Sequence, residues 1–129
     1  MATITNYYRG QTITFKLKSD STYVFDGNTR FKLLIYPDNI DFEKDGKANL
    51  REIDSTSTTV STTNGYVSFS SGVATCVLPW GLTTDLKTGL YTLEILYGNS
   101  VRSVLKKNSL FAIVSAASEL VDSNYHISD

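Results

Sequence analysis

Asp41, Glu43, Asp45, Asn49 and Glu52 stand at the first, third, fifth, ninth and twelfth places of a segment whose sixth residue is Gly46. Oxygen donors at those intervals match the loop that holds calcium between two helices. Such a loop closes on a hard cation only when its flanking helices bend the backbone around it. Here a strand pattern ending in Pro37 precedes the segment, and Ala48 takes the eighth place, where calcium loops carry a larger apolar residue. The expectation is a charged turn with no resident metal.

Two other arrangements could do chemistry. Cys76 and His126 are the only cysteine and histidine, the two groups that a thiol nucleophile and its base would need. Cys76 runs into Val77 and Leu78 with none of the electropositive neighbours that activate a thiol, so it reads as buried. His126 sits in a polar tail beside Tyr125. Trp80, between Pro79 and Gly81, could stack on a sugar ring, as could some of the eight tyrosines. At a strand end in a small sandwich its expected role is to cap the core. No glycine-rich phosphate cradle, zinc-ligand spacing or serine elbow occurs. The chain reads as a non-enzyme without catalytic residues, metal or cofactor.

The elements that would position these groups are strands. Ile13, Phe15 and Leu17 alternate with Thr12, Thr14, Lys16 and Lys18, the period of a half-buried strand. Phe31, Leu33 and Ile35 repeat it before Pro37-Asp38-Asn39, and Tyr91, Leu93, Ile95 and Tyr97 repeat it again before a Gly98-Asn99 turn. Shorter strands are expected at Leu50–Ile53, Tyr66–Phe69 and Val73–Leu78, with Tyr23–Phe25 as a short edge or hairpin arm. Val101–Leu105 should return from the Gly98 turn, and Leu110–Val114 is apolar on both faces, as the centre of a sheet requires. The threonine-rich stretch 54–64 suits a solvated edge strand. Leu82, Leu86 and Leu90 recur at fourfold spacing, compatible with a helical turn in a crossover. The fold expected is all-β, an antiparallel β-sandwich of about seven or eight strands over residues 1–114, with residues 115–129 as a tail.

Composition narrows the partners. With 129 residues, 12 basic against 13 acidic side chains and no basic run longer than Lys106-Lys107, the chain lacks a phosphate-binding stripe, so nucleic acid is not an expected partner. No apolar run approaches a membrane span, and residues 1–6 lack the basic and apolar regions of a secretory signal. A single cysteine excludes an internal disulfide. Tyr7, Tyr8 and Arg9 precede the first alternating strand, and Leu120, Val121, Tyr125 and Ile127 lie in the tail. All seven are expected to meet a partner, since tyrosine and arginine favour interfaces.

The order Arg9-Gly10-Gln11-Thr12-Ile13-Thr14-Phe15-Lys16-Leu17, then Phe31 to Tyr36-Pro37, then Leu86-Lys87-Thr88-Gly89-Leu90-Tyr91-Thr92-Leu93-Glu94-Ile95 resembles the immunoglobulin-like N-terminal module of phage baseplate upper proteins. Similar modules occur in other phage tail, head-fibre and capsid accessory proteins. The resemblance implies an immunoglobulin-like sandwich, made in the bacterial host cytoplasm and built into a virion, where it contacts other virion proteins in many copies. The alternative expectation is a carbohydrate-binding or adhesive module that presents Trp80 and nearby tyrosines to a host surface glycan.

Overall fold

A computed structural model describes residues 4–115. Leu120, Val121, Tyr125, His126 and Ile127 therefore lie outside the described residues. Eight strands run β1 (Thr5–Tyr8), β2 (Ile13–Lys18), β3 (Phe31–Pro37), β4 (Arg51–Asp54), β5 (Tyr66–Ser70), β6 (Val73–Leu78), β7 (Gly89–Tyr97) and β8 (Leu105–Val114), with one-turn helices α1 (Phe42–Asp45) and α2 (Trp80–Thr83) between them. One sheet has the order β1-β8-β7-β3-β4 and the other β2-β6-β5. Every pairing is antiparallel except β1 with β8. This is the immunoglobulin-like arrangement, with the B, E and D strands in one sheet and G, F, C and C′ in the other. The expected all-β sandwich of about eight strands is the fold observed.

Alternation is what assigns residues to the core. Phe31, Leu33 and Ile35 on β3 are at most 1% exposed, and Tyr91, Leu93 and Ile95 on β7 join them from the neighbouring strand. From the smaller sheet Ile13, Val67, Ala74, Cys76 and Leu78 close the layer. Phe15 and Leu17 were expected inside but are only partly buried, because β2 is an edge strand of the smaller sheet and leaves them a flank open to water. At one end of the layer Phe25 plugs the gap between the sheets, its ring 5.1 Å from Phe31 and 5.8 Å from Tyr97 in edge-on contacts. Tyr97 ties that plug in place, accepting from the Val24 amide at 2.6 Å and donating to the Val24 carbonyl at 2.9 Å.

Tyr91 fixes the entry into β7. It is fully buried, stacks on Phe111 at 5.5 Å, and donates its hydroxyl to the Lys87 carbonyl at 2.5 Å. A buried phenol needs such a partner, and a tyrosine near the start of this strand bonding back to upstream backbone is the corner that immunoglobulin-like sandwiches use. Leu93, two residues on, occupies the place where antibody domains carry their second cysteine. Packing holds the two sheets together here.

Residues 5–8, where no alternation marks a strand, form one through parallel pairing with Phe111–Val114. Three expectations are corrected. Residues 55–65 form no strand, since Asp54, Ser57 and Ser61 side chains divert the local backbone into turns through bonds to Thr56, Gly65, Thr63 and Asn64. The expected arm 101–105 is loop as far as Val104, and one long strand, β8, starts at Leu105 and takes in the expected strand 110–114. Tyr23–Phe25 is a loop, with Phe25 turned inward. No helix among the described residues is long and apolar enough to cross a membrane.

Candidate functional site

The outward face of the five-stranded sheet is divided. Because Leu33 and Ile35 face the core, Lys32, Leu34 and Tyr36 face out, and register places Asp54, Glu52, Glu94 and Lys106 on the same side. That end is charged, with Arg30 to Asp54 at 3.7 Å, Lys32 to Glu52 at 4.0 Å and Lys106 to Glu94 at 3.8 Å. Glu94 also accepts from the Tyr36 and Ser103 hydroxyls. Toward the end where β1 and β8 finish, the outward positions become Leu90, Ala112, Val114, Asn6 and Tyr8. Leu90 is 40% and Tyr8 56% exposed. Ile4 continues the parity of Asn6 and Tyr8, while Phe42 of α1 lays its ring edge-on against Tyr36 at 5.2 Å. Ile4 and Phe42 are 41% and 47% exposed.

Between the two halves sits a β-bulge held by a carboxylate. Pairing of β7 with β8 jumps from Tyr91↔Phe111 to Leu93↔Lys107, so Asn108, Ser109 and Leu110 stand opposite Thr92 alone. Ser109 takes the left-handed backbone, φ 56°, which costs a residue with a Cβ unless neighbours hold it there. Asp38 does so, accepting from the Ser109 amide at 3.0 Å, the Ser109 hydroxyl at 2.6 Å and the Thr92 hydroxyl at 2.6 Å. Burial pushes the Asp38 carboxyl up, but the Ser109 and Thr92 hydroxyls, the Ser109 amide and the Lys106 charge outweigh it and leave its pKa below the usual value. The Ser109 hydroxyl spends its proton on Asp38, and no histidine or lysine amine bonds to it among the described residues. The cluster shapes the sheet.

The sequence-derived candidates fall in different places. Tyr7 points inward, edge-on to Phe111 at 5.8 Å and packed on the core, while Tyr8 points out. Arg9 follows β1, its amide bonded to the Val114 carbonyl at 3.0 Å, and its charge lies near Tyr91. Trp80 does not cap the core: it starts α2 and is 52% exposed. Its amide bonds to the Thr12 hydroxyl at 3.1 Å, and Thr83 donates to the Gln11 carbonyl at 2.8 Å, which clamps the β1–β2 turn onto α2. Leu82, Leu86 and Leu90 share no helical face, since α2 ends at Thr83 and Leu90 belongs to β7.

The calcium-like spacing is dispersed by the fold. Asp41 caps α1, accepting from the Glu43 and Lys44 amides at 3.1 and 3.3 Å. Asn49 accepts from the Lys87 amide at 2.9 Å, and Glu52 faces Lys32. Three ligand positions thus serve three separate contacts, and among the described residues no group of three or more acidic, histidine or cysteine side chains converges as a metal site. Burial pushes the Cys76 thiol up to about 12, which keeps it protonated and unreactive.

A concavity of about 880 Å³ lies beside β4 under the threonine-rich loop. It is wide open, its lining holds no aromatic ring, and its charges other than Lys47 are engaged. Lys32 faces Glu52, and Arg51 donates to the Leu82, Ala48 and Leu50 carbonyls. Sequence reasoning missed Ile4, Phe42, Leu90 and Asp38. The parity of Leu90 against Tyr91 could have found one of them; the others depend on which strands become neighbours. No family model, curated protein or solved structure matches the chain.

Proposed function

We propose that this chain is a non-enzymatic assembly module of a bacteriophage particle, docking on other virion proteins through the Tyr8 end of its five-stranded sheet. The observation that carries the reading is that Ile4, Tyr8 and Leu90, each at least 40% exposed, lie on the outward side of one sheet, with the exposed Phe42 of α1 set against Tyr36 of that same side. Single exposed apolar residues are ordinary, whereas an apolar zone rimmed by charge marks an interaction surface. Tyrosine at its edge suits such a surface, since the ring buries area while the hydroxyl stays hydrated. The resemblance of the strand sequences to phage virion modules supplies the context, whether capsid decoration, head-fibre attachment, tail or baseplate. The test is to complement a phage lacking this gene and count copies of the chain in purified particles. A fixed, high copy number is expected. A chain absent from particles that form normally would overturn the reading.

A second reading, a carbohydrate-binding or adhesive module, draws on Trp80, whose indole is half exposed beside the clamped β1–β2 turn. Trp80 is the sole tryptophan, so a sugar stacked on it would change the intrinsic fluorescence directly. Saturable quenching by a host surface glycan, lost in Trp80→Ala, would favour this reading over assembly.

A further inference from the structure

An immunoglobulin-like sandwich commonly places its first strand beside B, which here is β2. In this chain β1 pairs with β8 instead, and only over Phe111–Val114. The outer edge of β2 and the Leu105–Leu110 half of β8 therefore face each other with no strand between them among the described residues. The space is an apolar cleft of about 310 Å³ lined by Phe15, Leu17, Leu93, Ile95, Leu105 and Leu110. Lysines edge it. Lys107 pairs across from Leu93 and Leu105 from Ile95, so Lys107 shares the cleft-facing side, and it has no ion pair among the described residues. Lys106, on the opposite face, is engaged by Glu94.

An unpaired strand edge is a template for another strand, and lysines on it repel a second copy of the same edge. They select an acidic, extended segment with apolar residues to fill the cleft. This chain contains one. Residues 116–129 carry Glu119, Asp122 and Asp129, no lysine or arginine, and the apolar or aromatic side chains Leu120, Val121, Tyr125 and Ile127. Extended at about 3.3 Å per residue, that segment reaches about 45 Å, against about 20 Å for an edge of the length of β2.

We propose that residues 116–129 of a second copy add as a strand to the outer edge of β2, filling the cleft with apolar side chains and setting acids beside Lys16 and Lys107. Strand addition of this kind draws affinity from main-chain hydrogen bonds and register from alternate side chains. A second copy is taken as the source because Ser115 leaves β8 at the Arg9 end, away from the Leu105–Leu110 half that borders the cleft, and closure within one chain is the competing outcome of the test. The inference rests on the assembly reading above and names how copies join.

Sedimentation of the full chain over a range of concentrations tests it. Wild type should associate, Lys107→Glu and Glu119→Lys should each weaken association at least tenfold, and the two changes combined should restore it, since Glu119 shares the parity of the cleft-filling Val121, Tyr125 and Ile127 whereas Asp122 lies on the Lys16 side. Lys107 is exposed, so its replacement leaves the sandwich folded. As a second readout, Lys16→Cys protein mixed with Asp122→Cys protein should form a mixed disulfide dimer on oxidation. A chain that stays monomeric at every concentration overturns the inference, as does association indifferent to both charge reversals. A Lys16→Cys/Asp122→Cys protein that closes its disulfide only within one chain also overturns it. A monomer that still enters particles would remove this inference and leave the docking face standing, whereas copies that associate but never enter particles would do the reverse.

Discussion

Replacing Asp38 by alanine removes the acceptor of three hydrogen bonds that hold the β8 bulge. Thr92 is fully buried and keeps only its 3.2 Å contact with Asn108, while the Ser109 amide loses its partner in a left-handed conformation. Bonds to a charged acceptor contribute about 1.5–3 kcal/mol each, but Asp38 is partly hydrated and water recovers some of the loss. The expected cost is about 2–4 kcal/mol, with each kcal/mol lowering Tm by roughly 3–5 °C at this length. Asp38→Asn keeps an oxygen for Thr92 and the Ser109 amide, yet sets an NH2 group where the Ser109 hydroxyl needs an acceptor, so about 1–2 kcal/mol should be lost.

Acid gives the sign. The folded pKa of Asp38 lies below its unfolded value, so the native state binds fewer protons and the carboxylate stabilises fully above about pH 4, the unfolded pKa. That contribution fades as pH falls through the folded pKa. Urea unfolding of wild type, Asp38→Asn and Asp38→Ala, near neutral pH and in strong acid, should show the wild-type advantage shrinking in acid. A loss under about 0.5 kcal/mol for Asp38→Ala, or an advantage that survives full protonation, would refute this role for the carboxylate.

Core depth should grade large-to-small substitutions. Phe31→Ala, at a side chain 1% exposed, is expected to cost about 3–5 kcal/mol, and Phe15→Ala on the open flank of β2 roughly half that; equal losses by urea titration would refute the burial assignment. Gly81 has no room for a side chain, because an added Cβ would strike the Thr62 carbonyl oxygen. Gly81→Ala should therefore cost about 1–3 kcal/mol and raise hydrogen exchange over residues 57–64, whereas a neutral result would show that this loop does not rest on α2. Cys76, its pKa raised to about 12 by burial, should react with thiol reagents only as fast as the protein unfolds, and stoichiometric labelling of the folded protein would contradict its placement.

The strands that alternate were legible because one side of each meets the core, as in Ile13–Lys18, Phe31–Pro37 and Gly89–Tyr97. Strand β1 was not, since Thr-Asn-Tyr-Tyr shows no period and is held by parallel pairing with a strand about a hundred residues later in the chain. The bulge in β8 was equally hidden. Lys106-Lys107-Asn108-Ser109 reads as a loop until Asp38, from the end of β3, reaches across to hold it. Trp80 was misplaced because the Pro79 ring and the Gly81 contact with Thr62 start a helical turn that carries the indole outward. The interface expectation at Tyr7 and Tyr8 divides by parity, with Tyr7 packed inward and Tyr8 facing out.

The docking face is tested most directly by particle occupancy of two sets of variants whose stability matches wild type. Tyr8→Asp with Leu90→Asp charges the apolar end of the sheet, and Lys32→Glu with Glu52→Lys inverts the charged end while keeping its ion pair possible. Quantified in purified particles, the first pair should be lost from the virion while the second enters at wild-type copy number. Full occupancy by the Tyr8 and Leu90 variant, with exclusion of the Lys32 and Glu52 variant, would contradict the assignment and move the docking surface to the opposite end of the face.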